Sequence, residues 1–143
     1  MVTGAAASNW RNYTGTSYLG FHNETGVLRT TRMVRLDWQR EVEAPGALPC
    51  IRTYLTKGLP PNATLVSFRT ISLPRIARYV AAYLLLVDVT SQGLTVHTVS
   101  EFVFAGQSRT EIGLFASGAN VAPAAVAAAS LRLARTLVAR VQA

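Results

Sequence analysis

The chain has 143 residues, half of them apolar and 15% charged, with fourteen Lys and Arg against seven Asp and Glu for a formal charge of +7. That length suits one hydrophobic core, and that composition excludes intrinsic disorder. The longest apolar run, Tyr79 to Val87, is too short to span a bilayer, and Met1 to Asn9 has neither the basic start nor the apolar centre of a signal peptide.

Met1 to Asn9 is small and polar and reads as a flexible arm, with residues 10–143 forming a single domain. From Trp10 to Asn23, aromatic residues stand among Gly, Thr and Ser, which predicts an irregular or short-strand region docked by its rings. Across Val27 to Trp38, Leu28, Val34, Leu36 and Trp38 share one parity and Arg29, Arg35 and Asp37 the other. Such alternation predicts a half-buried strand, although Arg32 falls on the apolar parity.

The period then changes. Leu48, Ile51 and Leu55 recur at three and four residues, so a short helix is expected from about Leu48 to Lys57. Pro49 fits only a first turn, and Gly58 with Pro60 and Pro61 ends it. Cys50, the single cysteine, reads as a small buried hydrophobe.

Thr64 to Leu73 alternates loosely and predicts a strand. Tyr79 to Val89 is apolar on both parities, as expected of a central strand covered on both faces. Ser91-Gln92-Gly93 is a turn signal, and Leu94 to Phe104 places Phe102 and Phe104 opposite Val99 and Val103. Ala105-Gly106-Gln107 marks a second turn. Arg109 to Ala116 then sets Ile112, Leu114 and Ala116 against Glu111 and Phe115. Pro123 to Val141 is alanine-rich and predicts a long helix, with Val126, Leu133, Leu137 and Val141 as its buried stripe. The expected class is α+β: a mostly antiparallel sheet with a short middle helix and a long C-terminal helix packed on it.

Chemistry is sparse. His22 and His97 are far apart in sequence, and neither has a partner at ligand spacing, so no metal site or cofactor is assigned. Asp88 is the one charge in the Tyr79 to Val89 strand, and its position at the strand end predicts a solvated group. Glu101, Glu111 and Arg109 read as cross-strand ion pairs on a solvent face. No nucleophile elbow or phosphate loop appears, and no catalytic residue is assigned.

Two surfaces remain. Tyr79, Tyr83, Phe102 and Phe104, with Leu133 and Leu137, are the candidate lining of a pocket for an apolar or amphipathic small molecule or lipid. Thirteen of the fourteen cations are arginine, which a GC-rich genome explains by codon bias and an anionic partner explains by function. Arg29, Arg35 and Arg69, placed on strands away from the apolar parity, form the candidate anion surface for a charged membrane or polymer. Nucleic acid ranks below these, because Trp38 and Phe68 fall on the other parity.

From Leu73-Pro74 to Arg140 the features run Leu-Pro, the Tyr79 to Val89 strand, Gly93, Phe102 to Phe104, Gly106, Arg109, a strand and an alanine- and arginine-rich helix. This order resembles the C-terminal half of actinobacterial cell-envelope lipoproteins and extracytoplasmic sensor-like domains. Their sheet-and-helix sandwich is similar to that of the oxygen-evolving-complex accessory proteins of photosynthesis. The resemblance implies a non-enzymatic extracytoplasmic binding or carrier domain in the cell envelope. The alternative is a structural protein that self-associates into a homo-oligomer through its sheet or helix.

Overall fold

In the computed structural model, which describes residues 2–142, the chain is an α+β fold built on one antiparallel sheet. The elements are β1 (Val2–Thr14), β2 (Ser17–Leu28), α1 (Thr31–Glu41), α2 (Ala47–Thr56), β3 (Ala63–Ile71), β4 (Tyr79–Ser91), β5 (Leu94–Gln107), β6 (Thr110–Ala119) and α3 (Pro123–Gln142). The six strands lie in the order β1-β2-β6-β5-β4-β3. β2 and β3 point the same way, because every neighbouring pair between them is antiparallel. Their link must therefore cross the sheet, and α1 and α2 make that crossing.

Of the expected loose arm, Met1 lies outside the described residues, and Val2 to Asn9 belong to β1, which pairs with β2 through Trp10 and Phe21 and through Tyr13 and Tyr18. The helix expected from Leu48 to Lys57 is α2, and β4 is an interior strand, as its two apolar faces require. Gln92 and Gly93 both take positive φ, the backbone of a two-residue hairpin turn. The second turn falls at Ser108 and Arg109 rather than at Ala105 to Gln107, which belong to β5.

Val27 to Trp38 is not one strand. β2 stops at Leu28 and α1 follows, with the Thr30 hydroxyl accepting from the Met33 N–H at 3.2 Å. Val34 and Trp38 are buried four residues apart, a spacing that satisfies a strand and a helix alike. Arg32, discordant in the strand reading, lies on the exposed side of α1.

The two sheet faces have different covers. On one, α3 packs over β5 and β6. Its buried stripe is Val126, Ser130, Ala134 and Val138, all at four-residue spacing. Leu133, Leu137 and Val141 flank it half-buried rather than forming it. Small residues at the centre let the helix lie close on Val99, Val103 and Ala105. On the other face α1 crosses β5, where a Cβ at Gly106 would stand 3.0 Å from Val34 Cγ1 and 3.2 Å from Tyr79. Gly106→Val is therefore expected to push α1 off the sheet, at a cost of about 1–3 kcal/mol, read as a lowered urea midpoint. Among the described residues, no helix is long and apolar enough to cross a membrane.

Candidate functional site

Alternation along β5 and β6 places Phe102, Phe104 and Phe115 on the α1 face, and there they are only half-buried. They extend into an aromatic row across the sheet. Phe68 stacks on Tyr83 at 5.8 Å between centroids, Tyr83 meets Phe104 at 6.1 Å, and Phe104 meets Phe115 edge-on at 5.9 Å. His22 on β2 continues it, 5.9 Å from Phe115. α1 adds Trp38, stacked on Tyr79 at 5.5 Å.

Beside the C-terminal half of α1 the row opens into a cavity of about 230 Å³. Trp38, Phe104 and Phe115 wall it, and Glu24, Glu41 and Glu111 line it. Burial raises the Glu111 pKa to about 7, and the nearby charges of Asp37 and Glu41 push it the same way. A raised carboxyl pKa favours the folded state while the group is neutral. That contribution is complete below about 4.5 and is lost as pH rises through about 7. The urea midpoint is therefore expected to fall between pH 5 and pH 8, and Glu111→Gln should flatten that fall.

The chain has twice as many cations as anions, yet among the described residues no arginine pairs with a carboxylate. The ion-pair contacts there are His22 Nε2 with Glu24 Oε1 at 3.0 Å and His97 Nδ1 with Asp88 Oδ1 at 2.7 Å. The second pair is cross-strand, since Asp88 and His97 are register partners. Asp88, expected as a solvated group at a strand end, is one-third exposed and has this partner because β4 runs on to Ser91. Among the described residues no three His, Cys or carboxylate side chains group closely enough to hold a metal ion.

The six expected pocket residues do not share one pocket. Tyr79, Tyr83, Phe102 and Phe104 face α1, whereas Leu133 and Leu137 pack from α3 on the opposite face. The sheet lies between them. Trp38 and Glu111 line the cavity although the sequence pattern does not single them out, because alternation puts Trp38 on a strand and Glu111 in a surface ion pair. The signal that could have found them is the Val34/Trp38 spacing together with the parity that sets Glu111 beside Phe115.

The expected anion row is dispersed as well. Arg29 follows β2, Arg35 lies in α1, and Arg69 is exposed on the edge strand β3 opposite Leu84, a residue of the α3 face. Glu101 is not on a solvent face: it is fully buried under α3, and neither carboxylate oxygen has a hydrogen-bond partner. Cys50 is exposed, because α2 buries only Ala47.

No family model matches the chain, and no curated protein matches it. Among solved structures it is similar to protein PA94 of unknown function from Pseudomonas aeruginosa, with a TM-score of 0.40 and 13% identity, over 80% of this chain and 69% of that one.

Proposed function

We propose that the protein is a non-catalytic binding module for an amphipathic small molecule bearing a cationic group, held in the cavity beside α1. The observation that carries this reading is the lining itself: three aromatic walls around carboxylates that no arginine neutralises. Aromatic faces attract cations and bury the adjoining apolar body, while a carboxylate fixes the charged end. The envelope setting implied by the resemblance belongs to the same proposal.

Calorimetric titration with 2-phenylethylammonium and with phenylacetate tests it. The amine should bind and the carboxylate should not. Affinity should rise several-fold from pH 6 to pH 8 as Glu111 ionises. Glu111→Gln should weaken binding and abolish that rise. Equal binding of both probes would overturn the proposal.

A second reading, self-association, is favoured by one specific feature. β1 forms an edge of the sheet, is exposed along its whole length, and carries only Arg11 as a charge. An edge without proline, lysine or cover is open to pairing with another strand. Native mass spectrometry should then show dimers that Ala6→Lys dissociates. A wild-type monomer at tens of micromolar would exclude it.

A further inference from the structure

A second cavity, of about 210 Å³, lies at the N-terminal end of α1 and is lined by Thr31, Arg32, Arg35, Arg78, Tyr79 and Ser108. We infer that it is a binding site for a phosphate monoester, gripped by Arg32, Arg35 and Arg78.

The electrostatics point to an anion. Three arginines from two separate segments line one cavity, and no acidic residue does. Like charges so placed repel one another. Arg32 stands in the first turn of α1, where the helix dipole disfavours a cation and where no acidic residue is present. Both costs are borne by the free protein and relieved by a bound anion. No acidic residue stands three or four positions from Arg32 or Arg35 on α1, so neither has a partner within the helix.

The geometry narrows the anion. Arg78 is held in place, its backbone N–H donating to Gln107 Oε1 at 2.9 Å and its guanidinium lying 5.6 Å from the Tyr79 ring centre. Guanidinium forks pair with two oxygens at a time, so a phosphate's three free oxygens serve three arginines better than a carboxylate's two. Thr31 and Ser108 add hydroxyl donors at the rim. Tyr79 lines this cavity and Trp38, stacked on it, lines the carboxylate cavity, and the two linings have no residue in common. The inference is therefore independent of the amine site. The phosphate could belong to a soluble ester or to a lipid headgroup.

Thermal shift and calorimetry on the full chain test it with inorganic phosphate and glycerol 3-phosphate, against sodium chloride at matched ionic strength. Wild type should be stabilised by both phosphates beyond the chloride control. Arginine stays charged throughout, so the response to glycerol 3-phosphate should grow from pH 5.5 to pH 7.5 as the monoester takes its second charge near pH 6. Arg78→Gln should weaken binding about tenfold, and Arg32→Gln with Arg35→Gln by a further factor of similar size for each. The exposed Arg132→Gln and Arg135→Gln pair on α3 should bind as wild type. Retention on phosphatidic-acid vesicles that glycerol 3-phosphate competes away identifies a lipid source; soluble binding without retention identifies a free ester. A wild-type response to phosphate no larger than to chloride overturns the inference, and so does undiminished binding by the triple variant. Loss of amine binding by Glu111→Gln with phosphate binding intact would separate the two sites.

Discussion

Replacing Glu101 by leucine is expected to stabilise the folded protein by about 1–3 kcal/mol, the usual cost of a buried polar group left without a partner. Glu101 has no solvent exposure, and neither oxygen finds a donor. On β5 it lies between Val99 and Val103 and pairs across to Leu84 and Ala116. Val126 packs in the cluster with Val99, and Ala134 in the cluster with Val103, so Ser130 takes the intermediate position on α3. That hydroxyl is already committed, donating to the Val126 carbonyl at 2.9 Å. Burial raises the Glu101 pKa, so the side chain is easiest to keep folded when neutral. Its contribution is complete below the ordinary glutamate range and is lost as pH rises through the raised folded value. Urea unfolding should show Glu101→Leu above wild type at every pH, with the gap widest on the alkaline side. A variant less stable than wild type at pH 8 would mean that the carboxylate has a favourable role under α3.

Leu84→Ala is expected to cost about 2–5 kcal/mol, the largest loss of any single truncation proposed for this chain. Leu84 is 4% exposed and packs with Val99, Ala116 and Val126 where α3 begins to lie on the sheet. The small residues of the α3 stripe hold the helix close and leave little freedom to collapse into the gap. Leu133→Ala, which the sequence pattern would rank as equally severe, should cost only about 1 kcal/mol, because its side chain flanks the stripe and is only partly buried. The comparison is read from paired denaturation midpoints. Equal losses for the two variants would contradict the assignment of Val126, Ser130, Ala134 and Val138 as the buried line.

Both predictions turn on the difference between a pattern along the chain and a position in space. Local rules made much of the fold legible. Two-residue alternation gave β6 its buried Ile112, Leu114 and Ala116, and two apolar parities marked β4 as interior. Alanine content and Pro123 located α3, and Pro49 placed the start of α2. Where two periods coincide, sequence alone could not choose. Val34 and Trp38 fit either a strand or a helix, and the crossing from β2 to β3 required the helix.

The candidate sites were less legible, for a further reason. Sequence by itself determined that Phe102 and Phe104 share a face, that Glu111 sits beside Phe115 in alternation, and that arginines outnumber every partner available to them. Only the tertiary structure decided which face α1 covers. That choice set Trp38 against Tyr79, gathered Glu24, Glu41 and Glu111 at one end of the helix, and gathered Arg32, Arg35 and Arg78 at the other. It also placed Glu101 under α3 rather than in water. Each of these contacts joins residues remote in sequence, and their electrostatic energies depend on distance and burial, which no local periodicity encodes.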